Sequence, residues 1–103
     1  MTYYQVFLSC ENKAQGQIIL EALLAERLCI GGPILEGPAK VWWKGEVESM
    51  SYGYVVTYTR DDKKDALVEF FEKVSEEEIP MCSCVVVEIN KKFKEYIDQA
   101  VTT

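Results

Sequence analysis

The chain has 103 residues, of which 49% are hydrophobic and 27% charged, and these are the proportions of a globular protein rather than a disordered one. We expect a single domain over residues 1–103. The net charge is −6 and Lys and Arg are not clustered, which argues against nucleic acid as a partner.

The sequence gives no sign of a membrane or secretory segment. No apolar run approaches the roughly 18 residues that a membrane span needs, and the N-terminus lacks the basic-then-apolar layout of a signal peptide. We therefore expect a cytoplasmic protein with no membrane partner. There the four cysteines, Cys10, Cys29, Cys82 and Cys84, are expected to be reduced thiols, although their even number leaves a disulfide framework open.

The first part of the chain predicts a strand and then a helix. Tyr3–Cys10 is apolar in both phases of an alternating pattern, which indicates a strand with apolar groups on both faces. Residues 11–28 are helical in pattern, with Asn12 as the N-cap. Their apolar side chains spread over more than one side, so we expect the helix to be covered on more than one side. Residues 31–33, Gly-Gly-Pro, then predict a loop or an irregular strand.

A β-hairpin is predicted in the middle of the chain. Its arms are Ala39–Trp43 and Glu46–Arg60, and Gly45 suits the turn between them. In the second arm the large residues share one phase: Met50, Tyr52, Tyr54, Val56 and Tyr58. This face of the strand requires a covering partner.

A second helix, a strand and a short last helix complete the chain. Thr59 with Asp62 resembles a capping box that opens the second helix. Met81–Ile89 is rich in β-branched residues, and Asn90 is placed to cap the last helix. The predicted inner face of that helix consists of Phe93, Tyr96, Ile97 and Ala100.

The order strand, helix, strand, strand, helix, strand predicts an α+β fold of the ferredoxin-like split βαβ type, βαββαβ plus a C-terminal helix, with an antiparallel sheet. Two helices then cover one face and leave the other open. Because the strands are apolar in both phases, the open face would be a large exposed patch. We expect self-association to bury it.

Several short motifs, taken in their order and spacing, resemble the CutA divalent-cation tolerance family, which is related in structure to the PII signalling proteins. The resemblance covers nearly the whole chain. The motifs are Ser9-Cys10, Glu26-Arg27-Leu28, Trp43-Lys44-Gly45-Glu46-Val47, Ile79-Pro80, and Asn90 with Phe93, Tyr96 and Ile97. The resemblance implies a ferredoxin-like homotrimer whose sheets face a common axis and whose hairpins reach a neighbour. It also implies a link to tolerance of copper and other divalent cations, without an established catalytic activity.

The chain departs from the family pattern just before Ile79-Pro80. The family usually has His-Pro-Tyr-Glu there, whereas this chain has Ser-Glu-Glu-Glu at 75–78. Ser75 thus stands where a metal site would use a histidine, and Glu78 is the residue of this segment that the resemblance leaves as a ligand. Glu11 also stands where the family often has proline.

Three cysteines and Glu78 are the candidate metal ligands. Cys10 ends the first strand, a common position for site residues, and the resemblance supports it as a ligand; the alternative is a small buried apolar side chain. Cys82 and Cys84 lie on one side of a strand, with thiols about 6 to 7 Å apart, which is feasible for two soft ligands of one Cu(I) or Zn(II). Packing within the sheet is the alternative that the sequence favours, and a disulfide fits less well.

The tryptophans and tyrosines of the hairpin are predicted interface residues: Trp42, Trp43, Tyr52 and Tyr54. A base-stacking role would need basic residues around them. We expect no enzymatic activity, because the chain has no histidine, no glycine-flanked nucleophile and no glycine-rich phosphate loop.

Two functions therefore stay open. The first is a cytoplasmic homotrimer that binds copper or another divalent cation. The second is a PII-like regulatory module that binds a small ligand or nucleotide in clefts between subunits and signals to a partner protein. A plain oligomeric scaffold is a third possibility.

Overall fold

The computed structural model describes residues 1–102. The elements follow in the order β1 (Tyr3–Cys10), α1 (Lys13–Ala25), β2 (Ile34–Trp43), β3 (Glu46–Arg60), α2 (Asp61–Val74), β4 (Cys82–Val87) and α3 (Lys91–Val101). The strands form one antiparallel sheet in the order β2-β3-β1-β4. The predicted α+β ferredoxin-like arrangement is thus confirmed. Within residues 1–102, no helix is long and apolar enough to cross a membrane.

The main core lies between the sheet and the pair α1 and α2. Val6 and Leu8 of β1 and Val55 of β3 face this layer, where they are fully buried with Leu67 and Phe71 of α2. Burying a side chain of this size contributes roughly 1.5–3 kcal/mol. A one-residue slip of a strand would turn these side chains to the other face, so the core fixes the register.

Helix α1 is covered on one side only. Ile19, Leu20 and Leu23 are buried against the sheet, whereas Ile18 is 55% and Leu24 44% exposed. The expected cover on a second side is not provided within one chain. Single apolar side chains at a helix surface are common in proteins, so they do not by themselves indicate a second contact.

Helix α3 covers one end of the opposite sheet face. Tyr3 of β1 is buried there with Ile97 and Val101, and the rings of Tyr58 and Phe93 meet edge to face with their centroids 4.9 Å apart. The sheet is therefore not open over its whole second face. Tyr96, predicted on the inner face, is 53% exposed. The buried stripe follows steps of four residues, which leaves Tyr96 on the outer side.

Helix α1 is shorter than the predicted 11–28. Its N-terminus is as expected, since the Asn12 side chain accepts a hydrogen bond from the Gln15 backbone N–H at 2.8 Å. At the other end Glu26 is the C-cap and Arg27 has a φ of 55°. This left-handed conformation ends the helix before Leu28.

The predicted capping box at Thr59 is wrong. Thr59 belongs to β3, and its hydroxyl donates to the Leu28 carbonyl at 2.7 Å inside the core. Arg60 takes the N-cap position of α2 without a side-chain capping bond. Asp61 and Asp62 do lie in the first turn, where the helix dipole favours negative charge.

The hairpin is longer than predicted, because β2 begins at Ile34 and continues through Gly37 and Pro38. A proline is tolerated here because β2 is an edge strand. At the tip, Lys44 and Gly45 have φ values of 49° and 86°, which give the turn expected of a two-residue loop. Residues 46–52 of β3 pair with β2 alone, so the hairpin projects beyond β1. The molecule measures 44 × 24 × 20 Å.

Candidate functional site

Residues 75–81, between α2 and β4, fold over the carboxyl end of β1. The Ser9 hydroxyl donates to Glu77 Oε1 at 2.7 Å and accepts from the Met81 backbone N–H at 2.9 Å. The Tyr52 hydroxyl donates to the other Glu77 oxygen. Glu77 is thus held by two hydroxyls that project from neighbouring strands, and we call this group the Ser9–Tyr52–Glu77 cluster.

The surroundings of Tyr52 and Cys10 favour the protonated forms of these two side chains. Burial, and then the hydrogen bond to Glu77, raise the pKa of Tyr52 to about 12. Burial also raises the pKa of Cys10, and the negative charges of Glu77 and Glu36 add to this effect. Near neutral pH, Tyr52 is therefore a donor to Glu77, and Cys10 is a thiol rather than a thiolate.

A groove of about 540 Å³ lies beside the cluster, between the hairpin, the start of α1 and residues 77–81. Trp42 and Trp43 form part of its wall. It is acidic, and its lining within the described part of the chain includes no Lys or Arg. The carboxylates belong to Glu11, Glu48, Glu77 and Glu78. Apolar walls with convergent negative charge suit a small cationic ligand.

Cys10 and Glu78, predicted as ligands, occupy different environments. Cys10 is fully buried, and its sulfur packs against Gly16 of α1 and Gly53 of β3. The Glu78 side chain is 66% exposed and lies 3.9 Å from Lys44 Nζ. The carboxylate that turns inward is that of Glu77.

Sequence reasoning missed the role of Glu77, because the spacing of three successive glutamates does not distinguish one from the next. The available signal was Ser9, a hydroxyl at the end of an otherwise apolar strand that requires a polar partner.

Cys82 and Cys84 form a close pair on β4. Their sulfurs are 3.9 Å apart, nearer than the predicted 6 to 7 Å, because the side chains lean toward each other from one face of the strand. Both are half-buried beside the main core. Burial, and then the proximity of Cys84, raise the pKa of Cys82 to about 12. Cys10, Cys29 and this pair all carry free thiols.

The predicted ligands do not come together within one chain. In residues 1–102, no three His, Cys, Asp or Glu side chains converge in a way that would hold a metal ion. The Cys82–Cys84 pair lies on the face of the sheet that packs on α2, while the Ser9–Tyr52–Glu77 cluster lies on the other face. The candidate ligands therefore belong to separate places.

The predicted interface residues differ in exposure. Trp42 at the hairpin is 76% exposed, and Val47, which pairs with it across the hairpin, is 55% exposed. Trp43 is half-buried, with Lys44 Nζ 5.4 Å from its ring centroid. Tyr52 is half-buried and engaged by Glu77 within the chain.

The second face of the sheet stays uncovered between α3 and residues 75–81. Tyr54 is 43% exposed there, with its ring centroid 5.9 Å from that of Phe7. Leu35 is 43% exposed and Val85 is 51% exposed, and both lie on the same face of the sheet as Tyr54 and Phe7. These four residues define what we call the open face.

Comparison with known proteins gives a consistent result. The family model described as CutA1 divalent ion tolerance protein matches residues 4–100. A structure of CutA from Archaeoglobus fulgidus, described as a periplasmic divalent cation tolerance protein, is similar with a TM-score of 0.90 at 19% identity over 97% of this chain and 99% of that chain. The structure of CutA1 from Pyrococcus horikoshii is similar with a TM-score of 0.91 at 19% identity, over 97% of this chain and 99% of that chain. The structure of CutA1 from Oryza sativa is similar with a TM-score of 0.85 at 22% identity, over 99% of this chain and 95% of that chain. No match was found among curated protein sequences.

Proposed function

The chain belongs to the CutA1 divalent ion tolerance protein family, and on this premise we propose that it is a cytoplasmic homotrimer that binds copper or another divalent cation and so contributes to cation tolerance. The match over residues 4–100 is the observation that carries the proposal. The family is one of tolerance proteins rather than enzymes. We accordingly assign this chain no catalytic role.

The open face supports assembly. Leu35, Tyr54 and Val85 leave apolar surface on a sheet that is otherwise covered, and such surface is normally buried by a partner. The exposed Trp42 on the projecting hairpin adds an aromatic anchor of the kind that dominates protein interfaces. Closed symmetry allows each copy to bury both features at once.

Cation binding is supported by the donors at the groove. Its carboxylates offer oxygen ligands to hard divalent cations, and Glu78 is accessible there. Cys10 is fully buried against Gly16 of α1 and Gly53 of β3, so its participation as a ligand requires α1 to move away from the sheet. The four free thiols fit the reducing cytoplasm that we propose for this chain.

A growth assay tests the proposed function. In a host that lacks its own family member, expression of the chain should raise the copper concentration that halves the growth rate. A Glu77→Ala, Glu78→Ala variant that still assembles should raise this copper concentration by less than the wild type does. Equal growth with and without the chain, at matched expression, would contradict a role in copper tolerance.

The acidic groove favours a second candidate, a PII-like module that binds a small ligand. Its carboxylates disfavour a nucleotide and favour a cationic molecule such as a polyamine. A ligand that binds only the folded state raises the melting temperature. Spermidine should therefore raise it and ATP should not, and a rise with ATP alone would contradict the preference for a cation.

A further inference from the structure

The Cys82–Cys84 pair has a spacing that suits two ligands of one metal ion. With metal–sulfur bonds of about 2.3 Å, the observed 3.9 Å between the sulfurs corresponds to a sulfur–metal–sulfur angle of about 115°. This angle lies between the tetrahedral and trigonal values, so the distance between the sulfurs suits two ligands of one ion. It also leaves a coordination position for a third ligand from solvent.

The pair is also accessible. β4 is an edge strand of the sheet, and both cysteines are half-buried rather than sealed in the core, unlike Cys10 and Cys29. Serine at position 83 faces the opposite side of the strand, opposite Phe7. An ion can therefore reach the two sulfurs from the edge of the sheet without opening the core.

Charged side chains of α2 act on the pair in both directions. Two thiolates with Cu(I) carry a net charge of −1, and the Lys64 ammonium interacts favourably with ionised Cys82 and Cys84. Lys64 Nζ lies 3.0 Å from Asp65 Oδ1 and 5.4 Å from the Tyr4 ring centroid. The negative charge of Glu72 opposes ionisation of Cys82 and so raises its pKa.

The geometry points to a Cu(I) site made by the thiolates of Cys82 and Cys84. Thiolate is the ligand that Cu(I) prefers among protein groups. The site rests on the proposed function in that it names one place where a cation tolerance protein would hold copper. It lies apart from the groove and from Cys10, so the two can be tested separately.

Binding must release the two thiol protons, so it depends on pH. Both sulfurs repel each other as thiolates, which is one reason why the pKa of Cys82 is high, and a cation between them removes that repulsion. The affinity for Cu(I) should consequently rise as the pH rises from 6 to 8. Lys64→Gln should weaken binding by less than the loss of a thiol, and Lys64→Arg should preserve it.

The test is an anaerobic competition titration of the full chain with Cu(I) and bicinchoninate. The wild type should bind one Cu(I) per chain, and Cys82→Ser or Cys84→Ser should weaken binding by about 100-fold or more, since two linked ligands act as a chelate. Cys29→Ser, at a thiol sealed in the core, should leave the affinity unchanged. The double variant Cys82→Ser, Ser83→Cys keeps four thiols but moves one to the other face, and it should also lose the tight site.

Circular dichroism and light scattering first confirm that each variant folds and assembles as the wild type does. An unchanged affinity in the double variant would overturn the site while leaving copper binding elsewhere, and so the proposed function, intact. A wild type that does not compete with bicinchoninate would overturn the site as well. The growth assay above then decides separately whether the chain contributes to tolerance through other ions.

Discussion

Glu77 and Glu78 are adjacent and chemically identical, yet the fold gives them different roles. The Glu77 carboxylate accepts from Ser9 and Tyr52, whereas Glu78 lies in solvent with a distant partner in Lys44. Composition and spacing could predict an acidic segment here, but not which carboxylate turns inward. That choice depends on the path of residues 75–81 across β1, which no local pattern encodes.

The two glutamates therefore form a matched pair for mutation. Glu77→Ala should lower the free energy of unfolding by about 1–3 kcal/mol, because the Ser9 and Tyr52 hydroxyls lose their acceptor. Glu78→Ala should change it by less than about 0.5 kcal/mol, as is usual for an exposed ion pair. Urea unfolding at a fixed protein concentration measures both, and equal losses would contradict the cluster.

Tyr52 should titrate near pH 12, above the ordinary pKa of about 10. Because its proton is held more tightly in the folded chain, its contribution to stability is complete below about pH 10 and is lost as the pH rises toward about 12. In Glu77→Gln the pKa should fall toward its ordinary value. Absorbance titration of the phenolate measures this pKa, and Tyr52→Phe assigns the signal. Ionisation of Tyr52 near pH 10 in the wild type would contradict the raised pKa.

At the level of elements, periodicity predicted β1 and β3 to the residue, because their alternation is continuous and their ends coincide with helix starts. The same periodicity does not predict the start of β2, because Gly37 and Pro38 are unusual in strands. They are tolerated here because β2 lies at the sheet edge. Thr59 was misread as a cap because a hydroxyl before two aspartates has the same local pattern in a strand as in a cap. Its true role depends on Leu28, 31 residues away along the chain.

Two asparagines at helix N-caps provide a test at this scale. Asn12 accepts a hydrogen bond from the Gln15 N–H, whereas Asn90 occupies the N-cap of α3 without a side-chain capping bond. Asn12→Ala should therefore lower the stability by about 1 kcal/mol, and Asn90→Ala should lower it by clearly less. Thermal unfolding followed by circular dichroism measures the difference, and an equal loss in both variants would refute the assignment.

For the whole molecule, the order of elements was sufficient to predict the sheet, since the split βαβ arrangement has few alternatives. The position of α3 was not predictable in detail. It packs on the second face through Tyr3 and Tyr58, contacts between residues far apart in sequence. The apolar residues in both phases of the strands predict an apolar second face of the sheet. The part of that face that α3 and residues 75–81 leave uncovered is the open face.

The hairpin should contribute to assembly through Trp42. Trp42→Ala should raise the concentration at which the oligomer dissociates, by an amount corresponding to about 1 kcal/mol or more. Ile18→Ala on α1 is the matched control, because Ile18 is an exposed apolar residue on the helix layer, away from the hairpin and the open face. A similar effect of both substitutions on the dissociation profile would count against a specific hairpin contact.

We propose that copies of this chain bury the open face and the hairpin in a closed trimer. Sedimentation equilibrium of the wild-type protein at micromolar concentration tests this assembly. We expect a single species with three times the mass of one chain, and a monomeric mass under these conditions would rule the trimer out.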